Sequence, residues 1–358
     1  MSMAAEEYKK ELADLVETVM REGASDLHFS VGSYPALRVS GSLLPLVKKK
    51  KLTAEDTLGF LSVMLRPEKM EGFLKEREVD FSYSYGEQAR FRGNGFFQQG
   101  TASIALRFVP RSIKTLEELN LPPTLRAFMQ REQGFFLVVG PVGQGKSTTL
   151  ASLIESVNST RTDHIITIED PIEYLFVEQK SIIEQREVGL DTNDFYNGLK
   201  YAFRQDVDVI MLGEMRDPPT IAAAVTAAET GHLVLSTLHT NDAAQTIDRI
   251  IDSFPSTQQD QIRIQLAGSL TAIFSQRLVP RVSGGLIPAY ELLINNAAVA
   301  NLIREKRTHE VKTVIETHSE EGMVDMNRSL ADLVRRGEIT VENAFARSQN
   351  PKLLERLL

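Results

Sequence analysis

Residues 140–147 read Gly-Pro-Val-Gly-Gln-Gly-Lys-Ser, glycines spaced through a turn that closes on a lysine and a hydroxyl. That spacing is a phosphate-binding loop, in which backbone N–H groups curl around a phosphate chain. Gly140, Gly143 and Gly145 permit the curl, and Pro141, Val142 and Gln144 fill the positions the motif leaves open. The apolar run Phe135-Phe136-Leu137-Val138-Val139 predicts a buried strand entering the loop, and a helix is expected to leave it at Lys146. The N-terminus of that helix favours negative charge, which suits a phosphate. In such a loop Lys146 reaches the β- and γ-phosphates, the Ser147 hydroxyl ligates Mg²⁺, and Thr148 sits beside the α-phosphate. A glycine turn without function is the competing reading, and it leaves the strand–turn–helix context unexplained.

Nucleotide hydrolysis needs more than a loop. It also needs a metal anchor and a carboxylate that holds or deprotonates water. Two strand-like runs end in acids. Ile165-Ile166-Thr167-Ile168 runs into Glu169, Asp170 and Pro171, and the proline stops the strand with carboxylates at its tip. Ligands of open parallel sheets bind at that edge, although acids also cap strands without any ligand. The second run, Val209-Ile210-Met211-Leu212, leads through Gly213 to Glu214 and has the build of a Walker B strand. Glu214 is positioned to accept a proton from water or to hold the water on Mg²⁺. A third run, Leu233 to Thr237, is flanked by His232 and His239. Structural histidines and γ-phosphate-sensing histidines both fit that spacing. A zinc site does not, because no zinc-like ligand set lies nearby.

Such residues need a scaffold that brings distant segments to one edge. From about residue 124, apolar strand-length runs alternate with helical patterns. This βαβα rhythm implies a mostly parallel sheet with helices on both faces. Gly284-Gly285 is placed to turn a hairpin between runs 273–279 and 286–294, and helical stripes follow to the end. Before residue 110 the pattern differs. One helical stripe (Leu12, Leu15, Val16, Val19, Met20) precedes alternating segments that predict an antiparallel sheet, with Thr53 and Asp56 starting a further helix. Residues 111–123, with Pro122-Pro123, read as a linker. The expected organisation is therefore a small α+β domain over 1–110, a linker, and an α/β domain over 124–358.

The 358-residue chain holds 42% hydrophobic and 25% charged residues, and no apolar run approaches a membrane span. With no cysteine, disulfides and thiolate zinc sites are excluded. The N-terminal Ala, Glu and Lys residues form no apolar signal core, so a cytoplasmic place is expected, with peripheral membrane attachment still open. A net charge of −8 argues against nucleic acid as a partner. The basic run Lys48-Lys49-Lys50-Lys51 reads as a solvated loop, or less simply as a contact for anionic lipid.

Taken together, the loop at 140–147, the acids at 168–173, Gly213 to Asp217 and Ala228-Glu229-Thr230-Gly231-His232 resemble the type II/IV secretion ATPase superfamily. There the four motifs are Walker A, the Asp box, Walker B and the His box. Ala24-Ser25-Asp26-Leu27-His28 is similar to the start of the family's PAS-like N-terminal domain, and residues 298–305 and 322–337 are similar to segments of its retraction branch, the PilT-like type IV pilus ATPases. The resemblance implies a RecA-like P-loop motor domain, a PAS-like N-terminal domain, a homo-hexameric ring, ATP with Mg²⁺, and an inner-membrane pilus platform protein as partner. It implies that Glu214 is the catalytic or water-positioning carboxylate and a metal anchor with Ser147, that Glu169 and Asp170 tune metal and water, and that His232 links the γ-phosphate to a neighbouring subunit. It further implies arginines from the N-terminal domain at the nucleotide, which Arg90, Arg92, Arg107 and Arg111 match. Arg90 and Arg92 also share one face of a predicted strand, where a solvated face is the plainer reading. Val142 and Gln144 depart from the Thr and Ser common in the family's loop, and nucleotide binding is expected to survive. Gly93 and Gly95 around Asn94 depart as well, which leaves the strand there in question. Assembly and secretion members differ from this chain in carrying a tetracysteine zinc element and a longer N-terminal extension. An accessory retraction paralogue and a nucleic-acid translocase are the remaining alternatives.

Overall fold

The computed structural model describes residues 3–39, 41–86, 88–109 and 112–358, with side chains from residue 5. The chain forms two compact units. Residues up to Ser112, joined by Glu173–Leu175, make the first; Ile113–Ile172 and Phe176–Leu358 make the second. The stretch 113–123 is counted with the second unit, where Leu116 and Leu121 are buried in its core.

In the first unit, helix α1 (Met3–Glu22) precedes strands β1 (Asp26–Phe29), β2 (Ala36–Val39) and β3 (Ser42–Pro45). Helices α2 (Ala54–Met64) and α3 (Pro67–Glu76) then lead to the long strands β4 (Glu78–Tyr85), β5 (Ala89–Gln98) and β6 (Thr101–Val109). The sheet order is β3-β2-β1-β6-β5-β4, antiparallel throughout. Thr53 and Asp56 form a reciprocal capping box at the start of α2, which satisfies two backbone donors that the helix cannot. Leu12, Leu15, Val16 and Val19 of α1 pack with Phe60, Phe73, Phe91 and Leu106 in one core. Gly93 continues β5 because a side chain there would collide with the Phe81 ring, its nearest atom 2.4 Å from a Cβ. In the lysine run, Lys49 pairs with Asp14, Lys50 with Asp56, and Lys51 lies over the Tyr34 ring. That run is a partnered turn.

In the second unit, α4 (Leu125–Met129), β7 (Gly134–Val139), α5 (Lys146–Thr160), β8 (His164–Glu169), β9 (Ile182–Glu187), α6 (Phe195–Ala202), β10 (Val209–Leu212), α7 (Pro218–Glu229) and β11 (Leu233–Leu238) alternate as expected, except that the unexpected β9 follows β8 directly. Helices α8 (Ala243–Asp252) and α9 (Ser256–Ser269) precede the hairpin β12 (Leu270–Pro280) and β13 (Leu286–Ile294). The chain ends in α10 (Ala297–Arg304), α11 (Val311–Thr317), α12 (Met326–Arg335), α13 (Val341–Arg347) and α14 (Pro351–Leu357). The sheet order is β13-β12-β7-β11-β10-β8-β9, and only the β12–β13 pair is antiparallel. The period-two alternation of β7 shows why both faces are covered. Phe135, Leu137 and Val139 enter a core with α7, α8 and α9, while Phe136 and Val138 enter one with α4 and α5. A third cluster joins the hairpin to α12, α13 and α14. This is the α/β, RecA-like arrangement the sequence implied. Among the described residues no helix is long and apolar enough to cross a membrane.

Candidate functional site

The carboxyl ends of β7, β8, β10 and β11 lie side by side in the parallel part of the sheet, so the loops that follow them converge on one edge. The loop after β7 is the glycine-rich one. Gly140, Gly143 and Gly145 have φ of 148°, 76° and 79°, in the left-handed region that favours glycine. Gly140 is further constrained because a Cβ there would stand 2.5 Å from the carbonyl oxygen of Gln276. Strand β12 braces the loop. The Gln276 amide donates to the Gln144 carbonyl (2.7 Å) and accepts from the Thr149 hydroxyl (2.6 Å). The Gln144 side chain in turn accepts from the backbone N–H of Leu278 at 2.8 Å. Gln144 therefore has a structural task at a position the motif leaves open, whereas Val142 is exposed.

Lys146 opens α5 and is buried. Its ammonium donates to the carbonyls of Gly140 (2.8 Å) and Pro141 (2.9 Å) and lies 3.2 Å from Nδ1 of His239. Ser147 and Thr148 occupy the first turn of the same helix, half-buried. Burial, and then the Lys146 charge, hold the His239 imidazole below its ordinary pKa. A neutral ring that accepts from Lys146 at Nδ1 carries its proton on Nε2, which faces Glu214 Oε2 at 3.6 Å. Glu214 also accepts from Arg216 at 2.5 Å, and Arg216 approaches Asp170 at 3.9 Å. Lys146, His239, Glu214, Arg216 and Asp170 thus form one chain of polar contacts across the sheet edge.

Glu169, the last residue of β8, is buried and accepts from the Thr167 hydroxyl (2.6 Å) and the Gln185 amide (3.1 Å). Gly213 follows β10 with its N–H bonded to the Ile168 carbonyl (2.8 Å) and its own carbonyl accepting from Thr237 (2.7 Å). These bonds fix the start of the Glu214 loop between its two neighbouring strands. The loop ends at Asp217, which caps α7 through the Thr220 N–H (2.9 Å) and hydroxyl (2.8 Å).

His232 stands elsewhere. It precedes β11, at the opposite edge of the sheet, where its Nδ1 meets the Ala227 carbonyl at 3.0 Å and its ring lies near Phe203. Six strand residues separate the two edges, a span of about 20 Å at strand rise. Within one chain, then, His239 and not His232 meets the phosphate loop and Glu214. His239 and Gln276 are the members of this site that the motif reading left unassigned. For His239 the signal was its place directly after a strand neighbouring the Walker B strand. Gln276 had none, because it acts from a hairpin more than a hundred residues beyond the loop.

In the first unit, Arg90 and Arg92 lie on the face of β5 away from the buried Phe91. Arg92 pairs in register with Arg107 of β6, Arg107 with Asp26 of β1, and Asp26 with Arg38 of β2. Arg107 donates to Asp26 at 3.0 Å. Burial alone would raise the Asp26 pKa, but bonds from Ser25 and Arg107 and the Arg107 charge hold it below the usual carboxylate range. Arg111 lies outside the described residues.

Among the described residues no three His, Cys, Asp or Glu side chains cluster tightly enough to hold a metal by themselves. A Ser147 hydroxyl and a Glu214 carboxylate fit Mg²⁺ in its usual form, in which phosphate oxygens and waters complete the octahedron.

Residues 4–285 match a family described as Type II/IV secretion system protein. The Pseudomonas aeruginosa protein named type IV pilus retractation ATPase PilT is 39% identical over 346 residues, covering 96% of this chain and 99% of its own. The type IV pilus ATPase PilU of the same organism is 40% identical over 341 residues, covering 95% and 89%. A crystal structure titled as the pilus retraction motor PilT with bound ADP superposes with a TM-score of 0.90 at 45% identity, covering 96% of this chain and 98% of that one.

Proposed function

We propose that this chain, which belongs to the Type II/IV secretion system protein family, is a hexameric motor ATPase that couples ATP hydrolysis to type IV pilus retraction and twitching motility. The observation that carries the reading is the convergence of Lys146, His239 and Glu214 at one sheet edge. Relatives named for pilus retraction, and the ADP of the similar solved motor, support it.

The chemistry follows from what each group can do. Phosphate oxygens outcompete the Gly140 and Pro141 carbonyls for the Lys146 ammonium, because they carry full negative charge where the carbonyls offer only a dipole. Backbone N–H groups of residues 143–148 cradle the phosphates at the start of α5. Bound Mg²⁺, held by Ser147 and through water by Glu214, would neutralise charge that develops on the phosphates. Glu214 orients the attacking water and takes its proton, and Arg216 holds the carboxylate in place. Buried Glu169, with Asp170, stands ready to orient further water. His239, between Lys146 and Glu214, is placed to register whether a γ-phosphate is present. In this reading His232 acts toward a neighbouring subunit, and Arg90, Arg92, Arg107 and Arg111 serve the nucleotide phosphates. The domain division falls near residue 112, and the ring docks on an inner-membrane platform protein from the cytoplasmic side.

Two measurements test the function. The purified chain should release phosphate from ATP in the presence of Mg²⁺. A deletion strain should keep or gain surface pili while twitching stops; lost pili would point to assembly instead. The near-equal identities to PilT and PilU favour one second reading, an accessory retraction motor. In that case deletion weakens twitching under load without abolishing it.

A further inference from the structure

The β11–α8 connection, which carries His239, is tied down from three directions. The Asn241 carbonyl accepts from the Ser275 hydroxyl (2.9 Å) and from the Gln349 amide (3.1 Å). The Asn241 side-chain oxygen accepts from Arg277 at 2.9 Å. Thr240 and Thr246 share a hydroxyl–hydroxyl bond of 2.6 Å. The remaining tie comes from Glu291, in the middle of β13 and opposite Ser275 of β12, whose Oε1 accepts from the Ala243 N–H at 2.9 Å.

Glu291 is the unusual member of this set. Its side chain is buried on a strand that otherwise contributes apolar residues to the core. Four charged groups face it: Asp242 from the cap of α8, Asp325 from the cap of α12, Lys312 from α11, and Arg277 from β12. Among the described residues no ion pair between Glu291 and either cation is formed, so a charge at this place would have no direct counter-ion. Burial, with Asp242 and Asp325 adding repulsion, pushes the carboxyl up to about 7, while the Ala243 N–H and Lys312 limit the rise.

We infer that Glu291 is a positioning residue for ATP hydrolysis: its side chain, through the Ala243 N–H, fixes the segment that presents His239 to Lys146 and Glu214. This rests on the ATPase reading above. A neutral carboxyl accepts the Ala243 bond without adding charge beside Asp242 and Asp325. Ionisation introduces a third negative charge beside Asp242 and Asp325, and on this inference their repulsion, opposed by the Ala243 N–H bond, moves the α8 cap away from β13. His239 lies three residues before that cap and moves with it. The linkage has the same sign. A carboxyl raised in the fold contributes stability that is complete below the ordinary carboxylate range and is lost as pH rises through about 7.

Glu291→Gln tests the idea in the full-length chain, because the amide keeps an acceptor oxygen and cannot ionise. The readouts are kcat and KM for ATP across pH and the melting temperature at each pH. Turnover of Glu291→Gln should match the parent at acid pH and exceed it above neutrality, by about threefold where the parent carboxyl is ionised, with KM unchanged. Its melting temperature should lose the parent's decline through neutrality. Glu291→Leu, which removes the acceptor, should lower kcat by roughly tenfold at acid pH and by less above neutrality, where the parent itself has lost turnover, with KM again preserved. A residue that merely packs would alter melting without altering the ratio of the two pH–kcat profiles. A parent that turns over ATP while Glu291→Gln copies its pH profile overturns this inference alone. A parent that turns over no ATP overturns the ATPase reading and this inference with it.

Discussion

Lys146 and Glu214 are joined through one imidazole, yet their substitutions separate. Lys146→Ala removes the charge that meets the β- and γ-phosphates, and nucleotide binding should fall below detection in a fluorescent-nucleotide titration. Glu214→Gln keeps the shape of the side chain and its bond to Arg216, so binding should hold while phosphate release slows by on the order of 10²-fold. Turnover near the parent's would transfer the base role to Glu169, the other acid at that edge. These residues were legible in the sequence because their task is local: a loop of fixed spacing, and an acid just past an apolar strand. Glu291 was not legible, since an acid within an apolar run carries no motif. His232 shows the converse. Its motif was plain, yet the residue precedes a strand of a parallel sheet and so lies at the amino edge, away from the phosphate loop of its own chain.

Elements were read most securely where burial on one face left a period. Helix α10 is one. Asn296 caps it through the Val299 N–H (3.0 Å), and Val299, Leu302 and Ile303 are buried. Buried Arg263 of α9 donates to the Ile303 carbonyl at 3.2 Å, where the helix dipole favours a cation. Asn301 and Arg304 remain on the exposed edge, bonded to one another at 3.0 Å. If the helix only packs, truncating both should change stability by less than about 0.5 kcal/mol each and do nothing else. If it transmits the motor's movement, as its likeness to the retraction branch implies, the double variant Asn301→Ala with Arg304→Ala should keep its melting temperature and ATPase and lose twitching. Normal colony-edge motility with normal ATPase would reduce α10 to packing. Strand β9 went unread for a physical reason. It is an edge strand of sequence Ile-Ile-Glu-Gln-Arg-Glu, in which only Ile183 and Glu187 are buried, so neither alternation nor an apolar run marks it. Residues 113–123 misled in the opposite sense. Their prolines read as a spacer, while Leu116 and Leu121 pack into the second unit's core.

For the whole molecule, the overall charge of −8 conceals an uneven distribution. In one cross-strand row of the first unit's sheet, Arg92, Arg107 and Arg38 stand in register with Asp26. Like charges directly opposite on neighbouring strands are destabilising by about 0.2–1 kcal/mol, so the Arg92–Arg107 pair costs the unit stability when no anion is near. On the proposed reading, in which these arginines serve the nucleotide phosphates, an anion relieves this repulsion. The prediction is therefore a divergence between stability and activity. Arg92→Ala should melt at the parent's temperature or slightly above it, because the repulsion is gone and Arg107 keeps its bond to Asp26. Its ATPase should fall by about tenfold or more, in the range attributed to arginines that stabilise phosphoryl-transfer charge. Nucleotide affinity should change little, since Lys146 and the loop supply the binding. The assay belongs at a protein concentration where sedimentation reports the proposed hexamer, so that loss of assembly is not mistaken for loss of chemistry. A variant that forms the hexamer and hydrolyses ATP at the parent's rate would leave the arginine row a solvated sheet face.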